Sequence, residues 1–540
     1  MNTIFKNGKI TTLDERQPEV EALFVKDERI VDLGTDRYIT DNYRKKAAEI
    51  VDLEGCRVVP GFNDAHLHLY QYALAKNKVN LAGVRSFKEI KDRVKKHLEK
   101  QKIKKGQWVE GKGWNDKDFD QPTIPDKKAL DTITRDHPII LKRACYHVAL
   151  VNSKALELCG IDKNTPDPDS GKIGRDRDGN PNGILYDQAI DLVDSRIPHQ
   201  DISAIKKALK DSFQDALSVG LTSVQTDDFI NVDNPEDIFK AYLELARDNE
   251  IPLRVNLQLR CSEREKITEL AGKGYRTGYG DSYLKIGPVK IIGDGSLGAR
   301  TAALKEPYND DPSTRGELLY SQEKLNSLVL TAHQNGFQLA IHAIGDAGAE
   351  LALNSFKHML AARPGKDVRP IIVHAQIGSH DLFKEMKELG VVAAIQPIFL
   401  ATDWPIIEKR VSTKRAETSY AWKKMLDYGI PLAGSSDAPI EPFNPLFGVY
   451  AAVTRKDLNG QPAGGWHPED KLSLTQALKL FTAGGAYQSF EESLKGSISR
   501  GKLADFVVLS EDIYTINENR IKDINVLQTY VGGKPAYRSG

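Results

Sequence analysis

The sequence predicts an α/β protein: a (β/α)8 TIM barrel, a small β-sandwich domain built from both chain termini, and an α/β subdomain inserted after the first barrel strand. Three observations carry this reading. Apolar runs alternate with amphipathic helical stretches through the middle of the chain, and eight such runs can be counted. Both ends of the chain have the texture of short strands and tight turns. About 150 residues separate the first barrel run from the second, and that stretch has apolar runs of its own.

Residues 1–59 read as the N-terminal part of the small β-domain. "TIFKNGKITTLD" alternates and turns at Asn7-Gly8, which predicts a hairpin, and "EALFVKDERIVDLGT" predicts another around Asp27-Glu28. Residues 486–540 complete the domain, with a strand in "KLADFVVLS" and a hairpin in "NVLQTYVGGKPAYRSG" turning at Gly532-Gly533. Termini often lie close together, so one domain can draw on both.

Residues 60–485 read as the barrel. Its strands are expected in "RVVPGFNDAHLH", "LTSVQTDD", "LRVNLQL", "YLKIGPVKIIGDGS", "FQLAIHAIGD", "RPIIVHAQ", "VVAAIQP" and "IPLAGSSDAP". Helical stretches such as "SQEKLNSLVLTAHQNG" and "HDLFKEMKELG" sit between them, and several end in Gly, as helix C-termini often do. The insert, about 80–205, contains "GQWVEGKGWNDKDF" and "GKIGRDRDGNPNGILYDQ" and is expected to cover the barrel mouth.

Composition narrows the function classes. Lys plus Arg and Asp plus Glu both number 75, so no net field draws the chain to nucleic acid or an anionic membrane. Four scattered cysteines without a C-x-x-C suggest reduced thiols and a cytoplasmic protein. The N-terminus lacks an apolar signal core, and no run of about 18 apolar residues suggests a membrane span. The expected partner is a small-molecule substrate.

Chemistry-bearing residues fall where predicted strands end, the rim on which barrel enzymes place their sites. His66 and His68, at i and i+2 on a strand, project from one face and can share a divalent cation. Lys290 and Asp294 follow on the fourth strand, His342 on the fifth, His374 on the sixth and Asp437 on the eighth. Each has a plainer reading alone: a core histidine for His342 or His374, an Asx-turn or helix cap for Asp437, an Asp294 salt bridge for the buried Lys290. One metal site explains them together.

In order and wording these segments resemble the metal-dependent amidohydrolase superfamily, and within it the YtcJ-like amidohydrolases related to N-substituted formamide deformylases. "VVPGFNDAHLH", "IGPVKIIGDGSLGARTAALKEPYNDDPSTRG", "IHAIGDAG", "IVHAQ", "GSSDAPIEPFNPL" and "KGSISRGKLADFVVL" carry the resemblance over nearly the whole chain. It implies that His66, His68 and Asp437 hold one metal, that His342 and His374 hold a second, and that carboxylated Lys290 bridges the two. Imidazole and carboxylate ligands suit zinc.

The implied reaction is hydrolysis of a non-peptide C–N bond, amide or formamide-like, by a metal-activated hydroxide, with Asp437 as general base and then general acid. Hydrolysis of a cyclic amide or ester, deamination of a heterocycle on the same scaffold, and a non-catalytic regulatory role are the alternatives. Trp114, His147 and Arg300 are candidates for contacting substrate, with packing or local ion pairing as their plainer roles. The insert departs from the family pattern at Cys145-Tyr146 and at Tyr186-Asp187. Barrels of this type are frequently homodimers.

Overall fold

The computed structural model describes residues 2–540 apart from 121–123, 231, 233 and 363–366. It divides into two compact units, residues 1–71 with 205–540, and residues 72–204.

At the centre of the first unit is an eight-stranded parallel sheet. Its strands, in chain order, are β1 (Phe62–Leu67), β2 (Leu221–Thr226), β3 (Arg254–Arg260), β4 (Leu284–Ile292), β5 (Leu339–Ala343), β6 (Ile371–His374), β7 (Val392–Ile395) and β8 (Leu432–Gly434). Each pairs in parallel with the next, from β1 through to β8. The circle closes just past the strands: Asp437 N–H donates to the carbonyl of His66 at 2.9 Å, and His68 N–H donates to that of Ala438 at 2.8 Å. Strands buried on both faces read as unbroken apolar runs, as in Val392–Ile395. The intervening helices show one apolar face each. In His380–Glu388, Ser379 caps the first turn and Leu382, Phe383 and Met386 are buried at helical spacing.

Strands from the two ends of the chain are interleaved. Arg57–Pro60 pairs antiparallel with Phe506–Leu509 and parallel with Lys9–Thr11 in a six-stranded sheet. A four-stranded sheet holds Asn2–Lys6, Ala22–Lys26, Arg29–Gly34 and Glu49–Asp52. Phe5, Leu23 and Val25 of one sheet share a core with Val58, Phe506, Val508 and Tyr530 of the other.

The turn at Asp27-Glu28 has φ of 48° and 69° and joins an antiparallel pair, as the sequence predicts. The Gly532-Gly533 hairpin also forms. Asn7-Gly8 does not make a hairpin. Asn2–Lys6 and Lys9–Thr11 lie in different sheets, so this turn is a corner between sheets. A Cβ on Gly8 would stand 2.7 Å from Leu53 Cδ1, which accounts for the glycine without any hairpin.

The first predicted barrel run is in fact two strands. Arg57–Pro60 serves the terminal sheet, Phe62–Leu67 serves the barrel, and Gly61 separates them. A Cβ there would meet Thr222 Oγ1 at 2.2 Å.

The second unit carries a six-stranded sheet in the order Gly171–Arg175, Pro181–Asp187, Val148–Val151, Ile139–Arg143, Val109–Trp114, Val79–Asn80. Two apolar clusters fill it, one around Trp114, Leu141 and Leu150 and one around Ile140, Val151 and Leu185.

Candidate metal centre

The residues that end the barrel strands converge. Asp64 ties the first and last strands together: its carboxylate accepts from His66 N–H at 3.1 Å, Ser436 N–H at 3.2 Å and the Ser436 hydroxyl at 2.6 Å. Burial pushes the Asp64 carboxyl up to about 7 against these bonds. His374 and Asp437 both take left-handed backbone, with φ of 83° and 58°. Such φ values are costly for residues with a Cβ and tend to collect at functional sites.

The hydrogen bonds decide which ring nitrogens face the centre. Nδ1 of His68 meets only an acceptor, the carbonyl of Asp227, and Nδ1 of His342 meets the Asp294 carboxylate at 2.9 Å. Nδ1 of His66 meets Gln258 Oε1 at 3.0 Å, and Nδ1 of His374 meets Gln396 Oε1 at 2.8 Å. Both amides are fixed in orientation, because Gln258 Nε2 donates to Ala65 O and Gln396 Nε2 donates to Ala394 O. All four Nδ1 atoms must therefore donate, so all four neutral rings carry their lone pair on Nε2.

Two of those lone pairs, on His66 and His68, face a carboxylate. Asp437 Oδ1 lies 3.1 Å from Nε2 of His68 and 3.4 Å from Nε2 of His66, yet it is buried without a hydrogen bond of good geometry. Ligand atoms of His66, His374 and Asp437 lie within 4.8 Å of one another. The His342 and His374 rings are 4.5 Å apart and those of His66 and His68 are 5.1 Å apart. Acceptors facing acceptors in a buried site call for a cation, and imidazole with carboxylate is a donor set that suits a divalent metal. The residues fit the metal that the resemblance implies.

The electrostatics agree. Burial, and then the charge of Lys290, holds His66 well below the usual imidazole range, and burial with the neighbouring His342 does the same to His374. Burial opposes charge on His68 as well, but the adjacent Asp437 carboxylate outweighs it and raises the group. Asp437 is lowered: its burial is overcome by its contact with His68 and by the charges of His374 and His68. Lys290 is 1% exposed, and burial pulls its amine down to about 8. Its Nζ lies 3.2 Å from Nε2 of His66.

The plainer reading of Lys290, a salt bridge to Asp294, does not hold. Asp294 is consumed by His342 and by the main-chain N–H groups of Ala303, Ile344 and Gly345. Arg300 forms a bidentate pair with Asp310 at 2.9–3.1 Å, and Arg410 bonds the same carboxylate. Trp114 is fully buried in the core of the second unit, its indole N–H donating to Leu141 O at 2.9 Å. His147, in the same unit, is exposed and bonds Asp187 through Nδ1 at 2.9 Å.

Sequence reasoning missed the groups that aim the ligands: Gln258, Gln396, Asp64, Asp227 and the aiming role of Asp294. A signal existed for the two glutamines. Each is a long polar side chain in an apolar strand run, "NLQLR" and "AAIQP", and a buried amide needs a partner.

Comparison with known proteins follows the same line. A family model described as the Amidohydrolase family matches residues 49–537. The chain is 34% identical over 541 residues to YtcJ of Bacillus subtilis (strain 168), covering 99% of each protein. It is 27% identical over 543 residues to N-substituted formamide deformylase of Arthrobacter pascens, covering 98% of this chain and 97% of that one. The solved structure of an uncharacterized metal-dependent hydrolase from Pyrococcus horikoshii OT3 superposes with a TM-score of 0.79 at 29% identity, covering 96% of this chain and 99% of that one. The chain is a YtcJ-like member of the metal-dependent amidohydrolase family.

Proposed function

We propose that the protein hydrolyses a non-peptide C–N bond, amide or formamide-like, in a small molecule. One observation carries the reading: Nδ1 bonds to fixed acceptors leave the lone pair of all four histidines on Nε2, and those of His66 and His68 lie 3.4 and 3.1 Å from the buried Asp437 carboxylate. His66, His68 and Asp437 would hold one divalent metal, zinc by donor type, and His342 and His374 a second, with Lys290 bridging as a carbamate. Carboxylation would turn a buried cation into an anionic ligand and remove the cost of its burial.

When bound, the metals supply Lewis-acid polarisation of the carbonyl and lower the pKa of water. The chain's own part is positional and protolytic. Asp437 accepts the proton of the attacking water on its carboxylate and returns it to the leaving nitrogen. Gln258, Gln396, Asp294 and the Asp227 carbonyl keep the four imidazoles aimed and in one tautomer, so no reorientation is needed during the reaction.

The test is metal analysis of the purified protein together with a panel of formamides, N-acyl amines and cyclic imides. Stoichiometric metal and turnover of an amide class are expected. A preparation without divalent metal that gains no activity from zinc or manganese would overturn the proposal.

A further inference from the structure

Arg260 and Lys290 are register partners on the adjacent parallel strands β3 and β4, so their side chains leave the same face of the sheet. The strands are bonded at this level, Cys261 N–H donating to Lys290 O at 3.1 Å. Two cations side by side on one face repel each other; Arg260 bonds the buried Asp227, whose charge also acts on Lys290. The carboxylate is shared unevenly. Arg260 grips it through Nη2 at 2.6 Å and Nε at 3.2 and 3.4 Å. Lys290 makes no ion pair with it, and its hydrogen-bonding neighbour is Nε2 of His66. Asp227 is fully buried, while the Arg260 side chain is 20% exposed. The backbone of Asp227 is committed as well: its N–H donates to Leu67 O at 2.9 Å, and its carbonyl takes Nδ1 of His68.

We propose that Arg260 is a positioning residue that sequesters the Asp227 carboxylate from Lys290, leaving the lysine free to carry CO2 and face the metal centre. A buried carboxylate stripped of its arginine must find another donor. Lys290, neighbour of Arg260 in register, is the cation at hand. Ion-paired with Asp227, Lys290 would be turned from His66 and could not become a bridging ligand. The inference rests on the carbamate reading above. In that step the Nζ lone pair forms the N–C bond to CO2, one C=O pair moves onto oxygen, and Nζ releases a proton to solvent.

Three variants test it: Arg260→Met, Arg260→Lys and the double variant Arg260→Met/Asp227→Asn. Each is incubated with zinc and ¹³C-bicarbonate, then read by the carbamate carbon signal in NMR and by metal content per chain. Arg260→Met should lose about tenfold in carbamate signal and in occupancy of the second metal. Arg260→Lys should retain most of both. The double variant should recover both, because nothing then competes for Lys290, and this is a rescue that a merely structural role would not produce. Should Arg260→Met fail to fold, the recovery is read from the double variant against Arg260→Lys. An unchanged carbamate signal in Arg260→Met, or a double variant no better than the single one, overturns the proposal alone. A missing carbamate signal in the unmodified protein overturns the carbamate reading along with it.

Discussion

Asp294 holds His342 from the side away from the centre: its Oδ1 accepts from Nδ1 at 2.9 Å, while Ala303, Ile344 and Gly345 donate their main-chain N–H to the same carboxylate at 2.8–3.0 Å. One buried side chain thus organises the start of the loop after β4, the turn after β5 and a candidate ligand. Asp294→Ala should weaken metal binding about 10–100-fold, and most at the His342 site, since outer partners of ligating histidines carry effects of this size. Titration with zinc monitored by calorimetry checks this.

His66→Ala should abolish turnover and remove the first metal. Gln258→Leu should keep the ligand but free its tautomer and ring angle. It should therefore retain metal with about tenfold weaker affinity and lose activity in proportion. Metal content and kcat, measured in parallel on the two variants, separate a ligand from its support.

Beneath the barrel, Glu491 is 4% exposed and pairs with Lys285 at 2.7 Å and Lys495 at 2.8 Å. Burial opposes its charge, but Lys495 and Lys285 outweigh burial and lower the carboxyl to about 2 from the ordinary 4.5. A carboxyl depressed on folding adds stability above its unfolded value and loses it as pH falls through its folded one. Thermal unfolding should therefore show a loss of stability between about pH 5 and pH 2 that Glu491→Gln lacks. At pH 7 the variant should be less stable by about 3 kcal/mol, since it leaves a buried lysine uncompensated.

Gly61→Ala places a methyl carbon against the Thr222 side chain. Overpacking of this kind costs about 1–3 kcal/mol, so the unfolding midpoint should fall while the m-value stays constant. Because Gly61 lies five residues before His66, metal affinity should fall with it.

Much of this was legible in the sequence because it is periodic or local. The eight barrel runs stand out as apolar stretches between amphipathic helices, and the two hairpins at Asp27-Glu28 and Gly532-Gly533 follow from turn chemistry. Asn7-Gly8 carries the same local signal and does something else, because a turn does not specify which sheet its second strand joins. The six candidate ligands were visible as polar residues at strand ends. Their aiming partners were not: Gln258 lies 192 positions from His66, and Asp227 lies 159 from His68. Such pairs are set by barrel register, which no window of sequence contains. The Lys290–Asp294 pairing failed for a related reason, since Asp294 is claimed by amides from two loops that follow it in the chain.

The interleaving of the two chain ends bears on how the molecule is made. A ribosome releases Arg57–Pro60 early, but the antiparallel partner of that strand, Phe506–Leu509, emerges about 450 residues later. Until then one flank of the strand that leads directly into His66 and His68 is an open edge, apolar and aggregation-prone. Completion of that sheet, and with it the anchoring of the candidate metal centre, is therefore timed by the arrival of Phe506–Leu509 rather than by the barrel strands themselves. A chain cut short before Phe506 would keep all six candidate ligands and still leave the strand that anchors the first two of them unpaired on that side.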